Sequence, residues 1–187
     1  MKNSKSSWNV DSTHSEINFK VKHMMITNLR GSFGTYQASV ETDGDDFSTA
    51  KVKFIIDVAS IDTNNPQRNG HLLADDFFSA EKFPHITFES NGLKRVSDDE
   101  WIAKGNLTIR DVTKEVEFTV LSTGAMKDPW GMTRAGFDIT GAINRKDFGM
   151  NFNMLIETGG AILSDVVKIE ASLEFTKAVV EETVASI

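Results

Sequence analysis

Cysteine is absent from the 187-residue chain, so disulfides and thiolate chemistry are excluded and the redox compartment is left open. Tyrosine occurs once and proline three times. Positive charge is also scarce, because 20 Lys and Arg face 27 Asp and Glu, for a net charge of −7. A surface of this sign argues against nucleic acid as a partner and against a polybasic membrane patch.

Long apolar runs are missing as well. None reaches the roughly 18 residues that a membrane-spanning helix needs, so we predict no membrane span. Residues 1–7 are polar and too short for a secretory signal peptide. We therefore expect a cytoplasmic protein for the sequence as written, and a periplasmic one if a signal peptide has been removed.

Phenylalanine, in contrast, is abundant at 13 residues, and rings without a polar atom suit a dry interior. Apolar and polar residues alternate in about nine runs, as in strands with one buried face. The runs at Ser15–Met24 and Val166–Phe175 are long enough for a tall barrel. We predict one all-β domain over 1–187, with its core at about 8–177, folded as an antiparallel barrel of about eight strands.

The alternation also assigns side chains to the inner face of the barrel. A barrel of this size is either filled by side chains or holds one small ligand. If a ligand is held, we predict that its apolar lining comprises Phe19, Val21, Phe33, Phe54, Ile56, Phe88, Phe118, Phe137 and Ile139.

Turn residues separate many of these runs, at Asp43-Gly44, Asn91-Gly92, Ser97–Asp99 and Asp128–Gly131. One stretch, from about Pro66 to Ala80, has near-helical apolar spacing. The last ten residues, 178–187, are expected to be either helical or frayed.

Side chains that could carry chemistry are few. The four histidines lack the short spacings of metal ligands, and no Gly-x-Ser-x-Gly motif occurs, so we predict neither a metal site nor catalytic residues. His23 continues the inward face of its strand. We favour a core histidine bonded to a backbone carbonyl, with contact to a ligand's polar head as the alternative. The candidates for contact with a polar head are His23, Arg68, His71, Asn144 and Arg145.

An ordered series of short motifs resembles the YceI-like family of lipid-binding proteins. It runs from Trp8 to about Phe175, which is nearly the whole chain. The motifs are Trp8-x-x-Asp11-x-x-His14-Ser15, Gly31-x-Phe33, Ser60-Ile61-x-Thr63, Arg68-x-x-His71-Leu72, Asp76-Phe77-Phe78, Phe83-Pro84-x-Ile86-x-Phe88-x-Ser90, Gly105-x-Leu107-Thr108-Ile109, Val112-Thr113-Lys114, Trp130-Gly131, Arg134-x-Gly136-Phe137 and Ile143-Asn144-Arg145-x-Asp147-Phe148-Gly149.

The resemblance implies a lipocalin-like, eight-stranded antiparallel barrel with one short helix near one end. It also implies an elongated pocket for a polyisoprenoid or fatty-acid-like molecule, a homodimer, and export to the periplasm in many members. Two residues depart from the pattern: Asn69 replaces an acid after Arg68, and Asp111 replaces a turn glycine. A bound lipid of this kind is expected, and no other cofactor.

Three functions remain open from the sequence. The first is non-catalytic carriage or storage of a long apolar lipid, such as a polyisoprenoid, an isoprenoid quinone or a fatty-acid derivative. The second is a stress-related interaction module with a solid core, suggested by Ile55 and Leu121 at outward positions. The third, ranked last, is an enzyme acting on an isoprenoid-like substrate, suggested by an inward His23.

Overall fold

A computed structural model of the protein describes residues 5–156 and 160–178. Thirteen strands and one α-helix, α1 (Pro66–Leu73), lie in these two ranges. The strands are β1 (Lys5–Val10), β2 (Glu16–His23), β3 (Thr27–Phe33), β4 (Tyr36–Asp43), β5 (Asp46–Asp57), β6 (Ile61–Asp62), β7 (His85–Arg95), β8 (Glu100–Ile109), β9 (Val112–Lys127), β10 (Thr133–Asn144), β11 (Leu155–Ile156), β12 (Gly160–Ala161) and β13 (Leu163–Lys177).

The long strands form a closed ring in the order β1-β4-β5-β7-β8-β9-β10-β13, and β13 pairs back with β1. Every neighbour in the ring is antiparallel. Closure leaves no open edge in this ring, which is how an antiparallel sheet avoids exposing unpaired backbone groups. The predicted eight-stranded barrel with one short helix is confirmed.

Beside β13, one position in the barrel wall is shared by two strands. β1 and β2 follow each other along β13, separated by a 3-10 turn at Ser12–His14. β3 pairs with β2 on the side away from β13. It pairs with β6 at Ser32 and Phe33. We call one end of the barrel the helical end, because α1 packs there; at this end β2 and β10 stop and β13 begins. We call the opposite end the base.

Within the described ranges, no helix is long and apolar enough to cross a bilayer.

The helix is shorter than the pattern predicts. Asn65 caps its start by accepting from the Arg68 backbone N–H, and Pro66 occupies its first turn. It ends at Leu73 rather than Ala80, since Ala74 is extended. The Asp75 carboxylate accepts from the Ser79 hydroxyl, and such side-chain bonds favour turns over helix. The prediction of a helix to Ala80 is therefore wrong.

The expected turn at Asn91-Gly92 is also wrong, because β7 continues through it. The register against β8 shifts between Ser90 and Leu93, which marks a β-bulge. Gly92 has a φ of 96°, a conformation that favours glycine, so the same residue type that signals a turn serves the bulge here. The other three turn signals lie between strands. Residues 179–187 of the expected tail lie outside the described residues.

Candidate functional site

The barrel encloses a cavity of about 230 Å³ that extends from the base to the helical end. All nine residues predicted as an apolar lining stand against it. Further lining residues near the helical end are Leu72, Phe77, Phe78, Met150 and Leu163. Arg145 and Asn18 are the polar residues among those that line it. The interior is thus a nearly continuous hydrocarbon surface.

Aromatic rings close the base of the cavity. Phe47 lies 5.1 Å from Trp8 and 5.0 Å from Phe137, centroid to centroid, and Phe137 lies 6.0 Å from Phe175. Trp8 is completely buried and donates its indole N–H to the Thr42 hydroxyl at 3.0 Å. The ring's one polar atom is therefore satisfied, and aromatic rings pack together at the base.

Glycines on the inner face give the phenylalanine rings room to lie against the wall. A Cβ at Gly141 would fall 2.3 Å from Phe118 Cδ1, and one at Gly31 would fall 2.3 Å from Phe19 Cζ. Each ring therefore occupies the space of the missing side chain on the neighbouring strand. Phe88 also lies over Gly105, where a Cβ would fall 2.7 Å from its Cζ and 2.3 Å from the Glu89 carbonyl oxygen. These pairs keep bulky rings out of the centre of the cavity.

Arg145 is the charged residue of the cavity, and it is only 3% exposed. It begins the 3-10 turn Arg145–Phe148 after β10. Its guanidinium donates to the carbonyls of Met150 and Phe152 at 2.7 Å and of Ser164 at 3.0 Å. Burial lowers the pKa of Arg145, although an arginine remains protonated at any ordinary pH.

One nitrogen of this guanidinium differs from the other two. Arg145 Nη2 is buried and has no hydrogen-bond partner among the described residues. The Asp165 carboxylate lies 3.6 Å away, too far for a hydrogen bond but close enough to offset the charge. A buried donor without an acceptor is costly, but no polar atom of the described lining is exposed to the cavity, so Arg145 meets the ligand space through its apolar atoms.

The other four predicted head-group residues do not line the cavity. Arg68 donates to the hydroxyl and carbonyl of Thr63, so it fixes the start of α1. Asn69, which departs from the family pattern, accepts hydrogen bonds from the Thr63 backbone N–H and hydroxyl. An amide oxygen is therefore the acceptor at this position, where the pattern has an acid. The Asn144 side chain accepts from the Lys146 N–H and caps the 3-10 turn.

The two histidines lie at the rim. His71 is exposed and stacks edge-on against Phe77 and Phe152, with Asp76 at 3.1 Å from Nε2. His23 is half-buried at the end of β2, where it pairs with Leu163. His23 pairs with Leu163, which lines the cavity, so it keeps the inward register of its strand but stands beyond the lining itself.

A charged cluster lies outside the cavity at the base. One ligand atom each from Asp11, His14 and Glu174 lies within 4.8 Å of the others. Arg134 donates to both carboxylates and, through Nε, to Asp128 at 2.9 Å. The pKa of Asp11 is held well below its usual range by hydrogen bonds from Thr13, His14 and Arg134. The cluster is therefore an ion-pair network centred on a guanidinium.

Part of this site could be predicted from the sequence, and part could not. Gly31, Gly105 and Gly141 stand opposite or diagonal to inward phenylalanines, and the strand pairing needed to see this follows from a simple meander. No pattern in the sequence predicts that Phe47 closes the base. The lining from Leu72 to Phe78 depends on how the loop after α1 folds back, which no periodicity encodes.

The fold and cavity together define an up-and-down antiparallel barrel with an apolar cavity inside it. The family model for a YceI-like domain matches residues 8–175, and the chain belongs to that family. A UPF0312 protein of Staphylococcus aureus (strain N315) is 42% identical over 167 residues, covering 89% of this chain and 95% of the relative. The resemblance drawn from the motifs is confirmed.

Solved structures of other proteins have the same fold. Burkholderia cenocepacia BcnA is 25% identical, with a TM-score of 0.77 and coverage of 88% of this chain and 98% of its own. The Campylobacter jejuni YCEI protein is 30% identical, with a TM-score of 0.73 and coverage of 84% and 90%. A polyisoprenoid binding domain from Saccharophagus degradans, at 14% identity, a TM-score of 0.67 and coverage of 91% and 98%, shares the fold.

Proposed function

We propose that the protein binds a long apolar lipid inside the barrel and carries or stores it without chemical change. The observation that carries the proposal is the elongated cavity, lined by hydrocarbon from base to helical end. The fold neighbour from Saccharophagus degradans is described as a polyisoprenoid binding domain, so a barrel of this topology can serve such a ligand.

The affinity for such a chain needs no specific contact. Each CH₂ group removed from water contributes about 0.8 kcal/mol. A chain of about ten such groups therefore gains on the order of 8 kcal/mol before the losses of ordering are subtracted. A cavity lined in this way selects for length and flexibility, and it suits an isoprenoid or an acyl chain alike.

No polar atom of the described lining is exposed to the cavity, and Asp165 partly offsets the charge of Arg145 from 3.6 Å. Neither Arg68 nor His71 lines the cavity, so the described lining offers no cationic group to a phosphate. We expect a ligand whose head group is small and uncharged or lies outside the apolar lining, rather than a phosphate buried in it.

Support for binding without catalysis comes from the same lining. The guanidinium of Arg145 holds its proton and cannot act as a general base. His23, which suggested an enzyme, stands at the rim rather than against the ligand space. A solid-core interaction module is less well supported, because the interior holds a cavity and the outward Ile55 and Leu121 lie on β5 and β9, with two strands between them in the ring.

Native mass spectrometry of protein purified without delipidation tests the proposal, with a fluorescent long-chain polyene fatty acid as the titrated probe. Ala171→Phe places a ring on the inner face, and Thr140→Phe places the same ring on the outer face of the adjacent strand. We expect a bound lipid and probe binding in the wild type and in Thr140→Phe, and loss of both in Ala171→Phe. A wild type that is reproducibly empty, or equal binding by both variants, would reject the proposal.

Two further properties remain predictions. A homodimer is proposed from the family resemblance alone. The cellular location, cytoplasmic or periplasmic, is to be read by fractionation of the host.

A further inference from the structure

Exposed apolar side chains gather at the helical end of the barrel. We name them the apolar tip: Met24, Met25, Ile26, Met154 and Leu155. Met25, Ile26 and Leu155 are 73%, 74% and 85% exposed. The Met24 N–H donates to the Ile162 carbonyl at 2.7 Å, and the Ile162 N–H donates to the Met154 carbonyl at 3.0 Å. These bonds hold the two loops side by side, so their side chains form one surface.

The turn that carries the tip is unusual in composition. Met24 and Met25 have φ values of 51° and 58°, and the Ile26 N–H donates to the His23 carbonyl at 3.0 Å. Two left-handed central residues define the type I′ hairpin turn, in which Asn-Gly is strongly preferred. Bulky residues are strained there. Because their side chains are exposed, burial within this chain does not offset the strain.

Cations stand in a row behind the tip on the outer face of the same strands. Lys20 on β2 pairs directly with Lys168 on β13 and with Arg30 on β3. Lys22 follows one step closer to the tip and is exposed. Like charges directly opposite each other destabilise a sheet. We call Lys20, Lys22, Arg30 and Lys168 the cationic row.

One acid lies within this row. Glu170 accepts from Lys20, and its pKa is lowered first by that hydrogen bond and then by the charges of Lys20, Arg30 and Lys168. One carboxylate against four cations leaves the row itself positive, in a chain whose net charge is −7, while Glu16 and Asp138 lie on the same face toward the base. The clustering is therefore local and opposes the balance of the whole chain.

We propose that the apolar tip inserts into an anionic lipid bilayer while the cationic row lies against its head groups. An apolar tip flanked by Lys and Arg is the arrangement by which proteins dock at a membrane surface. A two-fold dimer through this face would bring two cationic rows to one interface, which disfavours a second copy as the occupant. Methionine suits the role because its flexible thioether adapts to an irregular apolar surface.

Docking would set the helical end of the barrel, which the cavity reaches, against the bilayer. Leu163 lines the cavity and pairs with His23, the residue that begins the tip's turn. This inference goes beyond lipid carriage, and vesicle binding can be measured whether or not the barrel holds a ligand. A failure here leaves the proposed cargo untouched, and the reverse also holds.

Flotation with large unilamellar vesicles tests the proposal, using phosphatidylcholine alone or with about 30% phosphatidylglycerol. Met25→Asp removes the tip's apolar character, and Asp tolerates the left-handed backbone better than Met does. Met126→Asp, at the base, is the matched control, because Met126 is 71% exposed against 73% for Met25. Lys22→Glu with Lys168→Glu tests the row, and Lys51→Glu with Lys94→Glu makes the same change of net charge elsewhere.

We expect the wild type to float only with the anionic vesicles, and to be released at about 1 M NaCl, where the Debye length is roughly 3 Å. Met25→Asp and the Lys22/Lys168 pair should each weaken binding by about tenfold or more. Both controls should bind like the wild type. Absence of flotation, or equal loss in the controls, overturns the proposal. If Met25→Asp instead converts a dimer to a monomer in sedimentation equilibrium, the face binds a second copy and the bilayer assignment is wrong.

Discussion

Replacing Gly141 by Ala tests whether the inner glycines keep the cavity open. The new Cβ would lie 2.3 Å from Phe118 Cδ1 and 2.8 Å from Cε1, distances that no real contact sustains. Phe88 packs edge-on at 5.3 Å from the Phe118 centroid, so the ring cannot slide along the wall. It must turn toward the lumen. Overpacking of this kind costs about 1–3 kcal/mol of folding stability.

The effect on the ligand follows from the same displacement. If the displaced ring excludes two CH₂ groups of a bound chain, binding weakens by about 1.6 kcal/mol, which is roughly fifteenfold in Kd. Titration with the fluorescent fatty acid measures this loss, and urea denaturation measures the stability. Gly141→Ala combined with Phe118→Leu should recover most of the affinity, because the smaller side chain frees the space again.

Gly70→Ala is the matched control. A Cβ at Gly70, in α1, meets nothing within 4 Å. We expect unchanged affinity and a gain of about 0.5–1 kcal/mol, since Ala loses less backbone entropy in a helix. Gly141→Ala that binds within about twofold of the wild type, with no rescue by Phe118→Leu, would show that the ring does not enter the ligand space.

Three other expectations follow from the structure. Arg145→Leu leaves one buried and two partly buried carbonyls without a donor and should lower the free energy of unfolding by about 3 kcal/mol in urea; a change under about 1 kcal/mol would contradict its role. The pKa values of Asp11 and Asp128 are lowered by hydrogen bonds, including those from Arg134, so their stabilisation is present above about pH 4 and is lost as pH falls below it. Tm measured from about pH 7 to 2 should therefore fall more steeply below pH 4 in the wild type than in Arg134→Gln, and parallel curves would exclude the network as the cause. If the protein is a dimer through the β5 face, Ile55→Lys should halve its mass in light scattering, and an unchanged mass would place the interface elsewhere.

The barrel could be predicted because its signal is local. Strand residues point to alternate faces, so a run such as Val167, Ile169, Ala171, Leu173 and Phe175 reports one inner face directly. All nine predicted lining residues stand against the cavity for this reason. The bulge at Gly92 escaped prediction because a turn and a bulge call for the same residue at the same φ.

The polar residues were harder to place because periodicity ends where the strands end. His23 is the last residue of β2 and stands beyond the cavity lining, although its pairing with Leu163 keeps the inward register. The side chain of Arg68 hydrogen-bonds Thr63 before α1, and that of Asn144 caps the 3-10 turn, so neither points to a ligand. Among these candidates Arg145 alone reaches the lining, because it follows β10 immediately and its carbonyl partners come from loops whose paths no local pattern predicts.

The charge of the whole chain illustrates a related limit. A net charge of −7 predicts an acidic surface, yet Lys20, Lys168 and Arg30 form one row across three strands. In the sequence Lys20 and Lys168 are 148 positions apart, and only the pairing of β2 with β13 brings them together. A sum over the chain cannot register such a cluster, whereas the attraction between a protein and a charged surface depends on the charges within about 10 Å of contact. Partners are therefore better judged from the charge of each sheet face, and this face is the one that carries an apolar tip.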